Sequence, residues 1–219
     1  MTDDSAILDS FAGRARLFPL PNLVLFPGID QGLHIFEHRY RQMTADALAS
    51  DGLIALVLLQ PDWHDNYDGA PGIEAMACLA RIVGHERLID GRYNLRVRGV
   101  ARFEIDAEIS DDDKLYRIAS GRIVHSIVPG EAAELRRKLR DTVLARFDSA
   151  GPAFAHLAAL FSSDSPLDRV CDQLGYSLPM PLPVKQKLLD EPSVDGRVDV
   201  LSAALTPAGR QFPPPFSSN

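Results

Sequence analysis

The hydrophobic period of this chain changes at Pro129-Gly130. Upstream, apolar residues recur at every second position. Tyr93, Leu95 and Val97 alternate with Arg92, Asn94, Arg96 and Arg98, and Phe103, Ile105 and Ala107 alternate with Arg102, Glu104 and Asp106. Downstream they recur every three or four positions, as in Leu135, Leu139, Val143, Leu144 and Phe147. A period of two belongs to a half-buried strand, and the longer period to one face of a helix. A β half followed by an α half predicts an α+β fold rather than alternating βα units.

Within the β half, Arg14 to Gly28 holds short apolar runs split by Pro19, Pro21 and the Pro27-Gly28 turn. Proline supplies no amide donor, so strands here should be short, edge-like or bulged. A second strand is expected from about Gly32 to Phe36. Glu37 to Ser50 reads as one early helix, with Tyr40, Met43, Ala47 and Leu48 on its apolar stripe. Leu53 to Leu59 is a continuous apolar run of strand length, suited to burial on both faces. Residues 60–74 form a long polar loop. Strands then recur from Met76, with a hairpin at Asp90-Gly91, a break at Gly99, a solvated turn at Asp111-Asp112-Asp113, and one or two more strands between Leu115 and Val128. Many short strands of this kind suggest a closed or nearly closed barrel.

In the α half, helices are expected over Glu131–Phe147, around Phe154–Phe161, after Ser165-Pro166, over Val184–Glu191 and through Val194–Leu205. Ser165 reads as an N-cap, Pro166 as the first helical residue and Gly175 as that helix's C-terminal stop. The organisation is therefore a flexible N-terminus at 1–13, a β barrel at 14–128, a helical bundle at 129–206 and a disordered Pro-rich tail at 207–219.

Charge narrows the partners. The chain carries 23 Lys+Arg against 30 Asp+Glu, a net −7 over 219 residues. Sequence-independent nucleic-acid binding needs a basic surface, so the balance favours a protein partner. No apolar run has the length of a membrane span, and Met1–Ser10 lacks the basic start of a secretory signal. Cys78 and Cys171 lie far apart on apolar segments and read as buried reduced thiols, which points to the cytoplasm.

Catalytic motifs are missing: there is no P-loop, no G-x-S-x-G elbow and no H-E-x-x-H. Asp62, His64, Asp65 and Asp68 could supply metal ligands, but they do not follow the calcium-loop spacing, and a polar surface loop explains them as well. Trp63 and Tyr67 in that loop could anchor a protein partner, or Trp63 could fold back as a lid on the barrel. Glu37 at a helix start would meet free amides and the positive dipole end. Arg92, Arg96 and Arg98 could make a cationic stripe, most simply a solvated face.

Two blocks, Leu17-Phe-Pro-Leu-Pro-Asn-Leu-Val-Leu-Phe-Pro-Gly28 and Leu33-His-Ile-Phe-Glu-His-Arg-Tyr-Arg-Gln-Met43, resemble the opening of the Lon protease N-terminal domain. So do Leu79–Leu88, Asp90–Phe103 and the helical close from Lys185 to Leu201. The resemblance runs from about Leu17 to Leu205. Gly32 and His38 stand where members of that family often carry proline. The resemblance implies a PUA-like β pseudo-barrel followed by a C-terminal α-helical bundle. It also implies a module that engages substrate proteins and helps assembly, in a stand-alone form without the ATPase and Ser-Lys peptidase domains.

The leading expectation is thus a non-enzymatic protein-binding module, an adaptor or quality-control factor, for unfolded or exposed apolar protein segments. A homo-oligomer is an open option. Its candidate contact residues are Trp63, Tyr67, Phe36 and Arg39, with no catalytic, cofactor or metal site expected. An enzyme or metal-dependent hydrolase with an unrecognised site, and a PUA-like RNA binder, stand as alternatives.

Overall fold

The computed structural model describes residues 4–61, 63–66 and 69–206. Its elements are α1 (Asp4–Asp9), β1 (Arg14–Leu20), β2 (Asp30–Ile35), α2 (His38–Leu48), β3 (Leu53–Leu58), a 3-10 turn (Trp63–Asn66), β4 (Met76–Arg87), β5 (Tyr93–Ile109) and β6 (Ile118–Val124). Five helices follow: α3 (Ala132–Leu144), α4 (Pro152–Ser162), α5 (Leu167–Ser177), α6 (Leu182–Asp190) and α7 (Val194–Leu205). The expected β-then-α order holds. The Pro-rich segment 207–219 lies outside the described residues.

Six strands form one sheet in the order β2-β5-β4-β3-β1-β6, and a further β5–β6 pairing closes five of them into a pseudo-barrel. The length of β5 makes this closure work. Its first half, Tyr93–Arg98, pairs with β2, and its second half, Arg102–Ile109, pairs with β6. Register shifts at Leu79/Ala80, Ile82/Gly84 and Ile105/Ala107 bend β4 and β5 into the curve.

Gly99 does not break the strand, as its sequence position suggested. It lies within β5 because a Cβ there would collide with the Phe26 carbonyl and the Cys78 sulfur. Glycine here permits a close backbone approach. Pro19 sits where β1 pairs only with β3, beyond the Arg14–Arg16 stretch that pairs with β6, so its missing amide breaks no second ladder. The following residues Val24, Leu25 and Phe26 are buried without forming a strand.

β3 is buried along its whole length, as its continuous apolar run requires. Ile54 and Leu56 join one core with Phe18, Tyr40, Met43 and Ala47, placing α2 on that face of the sheet. Ala55 and Val57 join another with Leu17, Ala77, Leu79, Phe103 and Ala119. The N-terminal lead-in, read as loose, carries α1 instead. Ile7, Leu8 and Phe11 pack on this second core, with the Phe11 ring edge-on to Phe103 at 5.6 Å.

The helices enclose a third core around Leu139, Val170, Leu174, Leu188, Val198 and Leu201, which Phe26, Leu58 and Met76 of the β half also enter. Gly175 does not stop α5, which continues to Ser177. A side chain there would strike Leu188 and Phe26, so the glycine lets α6 and the Phe26 ring approach. Ser193 caps α7, accepting from the Gly196 amide.

Candidate functional site

Strand alternation sets the geometry at the β2–α2 corner. Ile35 is buried, so the next residue, Phe36, turns outward and is 61% exposed. Its ring stacks on His34 with centroids 6.3 Å apart. His34 Nδ1 lies 2.8 Å from Asn94 Oδ1 and its Nε2 lies 3.4 Å from Arg92 Nη1. Both contacts are met by the neutral ring protonated at Nδ1.

Glu37 makes no side-chain bond to the free amides of α2. Its carboxylate instead accepts from Arg39 Nε at 2.9 Å. The Arg39 guanidinium also lies over the Tyr40 ring, 4.8 Å from its centroid. Arg39 lines a small cleft with Gly69 and Pro71, so the long polar loop approaches this side of α2. Trp63 is half-buried and stacks on His64 at 3.7 Å. Tyr67, Asp62 and Asp68 lie outside the described residues, as does the side chain of Asp65. Among the described residues no group of three metal-ligating side chains occurs.

The structure adds two apolar residues to this end of the barrel. Ile89, on the hairpin between β4 and β5, is fully exposed, and Leu115, between β5 and β6, is 54% exposed. The side-chain amide of Gln42 on α2 fixes the second loop. Its Nε2 donates to the Asp113 carbonyl at 3.1 Å and its Oε1 accepts from the Leu115 amide at 2.7 Å. Between α2, the hairpin and Leu115 lies a half-open cavity of about 250 Å³, lined by His38, Arg41, Gln42, Ala45, Arg87, Gly91, Tyr93 and Leu115. An apolar residue beside the Asp90-Gly91 turn was the sequence signal for Ile89. Nothing local marked Leu115 as part of the same cleft.

Arg96 and Arg98 share the outer face of β5, and Arg92 immediately precedes it. Of the three, two are ion-paired, Arg98 with Asp30 at 2.5 Å and Arg92 with Asp90 at 2.6 Å. The Arg98 hydrogen bond holds the Asp30 carboxyl below its usual range.

A larger cavity, about 580 Å³, opens between α1, the end of α2 and the start of β3. Four of its charged side chains are matched within it: Arg16 bonds Asp51 and Ser50, and Asp46 accepts from both Lys114 and Tyr116. Burial, with the Asp46 hydrogen bond, pushes the Tyr116 phenol up to about 12, so it stays protonated at neutral pH. Burial likewise raises both thiols, Cys171 to about 12.

The sequence matches the family model of the ATP-dependent protease La (LON) substrate-binding domain over residues 14–206. Two solved structures share the fold. A Lon N-terminal domain protein from Xanthomonas campestris is 24% identical, with a TM-score of 0.61 over 87% of this chain and 97% of that one. The N-terminal domain of Mycobacterium avium complex Lon protease is 18% identical, with a TM-score of 0.67 over 88% of this chain and 97% of that one. No curated protein sequence matches the chain.

Proposed function

Because the chain belongs to the ATP-dependent protease La (LON) substrate-binding domain family, we propose that it is a non-catalytic protein-binding module. It takes unfolded or exposed apolar segments at the end of the barrel where α2 begins. The observation that carries this reading is the exposure of Phe36, Ile89 and Leu115 on three connections that each adjoin residues of one α2-facing cleft: Phe36 precedes His38, Ile89 precedes Gly91, and Leu115 lines the cleft itself. Large apolar side chains held in water at one place favour association, and burial on a partner releases that cost. Arg39, beside Phe36 at the start of α2, extends the surface toward the 60–74 loop that carries Trp63.

The reading carries a division of labour. Residues 14–128 present the surface, and residues 129–206 brace the barrel from behind. The reading places the chain in the cytoplasm, where two free, buried cysteines stay reduced.

Titration of a permanently unfolded, fluorescently labelled protein with the native chain tests the function. Saturable binding is expected, weakened in a Phe36→Ala, Ile89→Ala, Leu115→Ala triple variant that keeps its melting temperature. No binding by the unaltered chain at high concentration would end the reading. Equal binding by the variant would move the surface elsewhere.

A further inference from the structure

The cleft between α2 and the β4–β5 hairpin has an unusual charge for so acidic a chain. Two arginines and a histidine line it, and no carboxylate does. Arg41 reaches from α2 toward the hairpin, where its guanidinium occupies the space a side chain at Gly91 would need. Arg87 leans over the Tyr93 ring, 5.9 Å from its centroid. Neither guanidinium makes an ion pair or hydrogen bond among the described residues, whereas the nearby Arg92 and Arg98 are held by Asp90 and Asp30. The nearby acids are engaged elsewhere: Glu37 accepts from Arg39, Glu86 from Asn94, and Asp90 from the Arg92 backbone and side chain, with Arg41 adding only a longer-range attraction on Asp90. Two guanidiniums without an ion pair among the described residues thus face a cleft that the exposed side chain of Leu115 also lines.

We propose that this cleft binds a carboxylate on an extended protein segment, with an adjacent apolar side chain of that segment resting on Phe36, Ile89 or Leu115. This rests on the protein-binding reading above and adds a chemical preference to it: acidic–apolar segments over neutral or basic ones. Arg41 and Arg87 both carry forked donors suited to a carboxylate. Each comes from a different element, so a bound carboxylate bridges helix and hairpin. A nucleic-acid backbone fits less well. The cationic area is one small cleft, the nearby Arg92 and Arg98 are paired with Asp90 and Asp30, and the chain carries −7 overall.

The test uses the full chain and three labelled probes: a short unstructured peptide with one glutamate beside leucine and phenylalanine, its glutamine twin, and a single-stranded RNA oligomer. Anisotropy titrations should show the glutamate peptide binding about tenfold tighter than its twin, the difference expected for one charge-assisted contact. An Arg41→Glu, Arg87→Glu variant should lose that preference and favour a lysine version of the peptide. Arg87 is exposed and Arg41 half-buried at the surface, and circular dichroism should report an unchanged fold. The unfolded protein of the previous test separates two kinds of failure. If it binds while glutamate and glutamine peptides bind alike, the carboxylate proposal is overturned and the protein-binding reading survives. If it does not bind, both fall. RNA binding tighter than the glutamate peptide, and abolished by the same variant, would overturn the proposal in favour of a phosphate ligand.

Discussion

The Arg102 guanidinium on β5 meets the Asp172 carboxylate on α5 at 2.6 Å, with both side chains only 2% exposed. This pair joins the barrel to the helices. Arg102 also donates from Nε to the Leu189 carbonyl at 2.9 Å, so the same side chain holds α6. A second buried arginine, Arg197 on α7, lies 3.8 Å from the same carboxylate. Burial and the Arg102 charge hold the Arg197 pKa below its usual value, while Asp172 opposes them. One carboxylate therefore balances two guanidiniums.

Asp172→Asn should be severely destabilising. It leaves two buried cations facing each other without a counter-charge, a situation that costs about 3–5 kcal/mol. The urea midpoint of unfolding reads this directly. A loss below about 1 kcal/mol, the size of an ordinary substitution, would show that Asp172 is not what holds the junction.

Gly99→Ala should cost about 1–3 kcal/mol through overpacking against the Phe26 carbonyl and the Cys78 sulfur. Gly32→Ala is the control, since nothing lies within 4 Å of a Cβ there. Thermal melts of both variants would expose an error if they shift alike.

Acid titration should separate two groups of carboxylates. Burial alone would raise the Asp46 pKa, but hydrogen bonds from Lys114 and Tyr116 outweigh it and hold it below the ordinary 3.8. The folded state then binds this proton less readily than the unfolded chain. The contribution of Asp46 is present above about pH 4 and disappears as pH falls through the folded value. Asp190 behaves oppositely. Burial raises its pKa, with Gln186 and Arg102 opposing, so its ionisation costs stability as pH rises above the ordinary range. Asp46→Asn should lower stability at neutral pH, and Asp190→Asn should raise it. Both differences should shrink toward pH 3, about where unfolded carboxyls protonate. Chemical denaturation across that range checks the two signs independently.

Cys78 and Cys171 should resist alkylation in the native protein. Both are buried, and burial raises both thiols, so little thiolate forms at neutral or mildly alkaline pH. Mass spectrometry after iodoacetamide treatment should show no adduct in buffer and two in denaturant. Rapid native labelling of either would mean that its surroundings open readily.

Local features were legible wherever one element decided them. The stripe Tyr40, Met43 and Ala47 marked α2 and its buried face, and the apolar run from Leu53 marked a strand buried on both sides. The misreadings share a cause. Gly99 and Gly175 looked like terminators because glycine weakens strands and helices on its own, yet each is required by an atom brought in from elsewhere. The acidic lead-in looked loose because its few apolar residues cannot support a helix alone; docking beside Phe103 supplies the missing burial. At the candidate surface, Phe36, Arg39, Arg41 and Arg87 stood in recognisable blocks, but no local mark joined Arg41 to Arg87 or either to Ile89 and Leu115.

The sequence by itself determined the α+β order, the periods of most elements, the family, and an acidic balance that favours a protein partner. These depend on residues within a few positions of one another, or on simple sums. Tertiary structure alone decided that β5 serves β2 with one half and β6 with the other, that Arg102 finds Asp172 seventy residues away, and that Arg41 and Arg87 share one cleft. Such contacts are selected by the total burial and charge balance of the folded chain, and no local pattern records them.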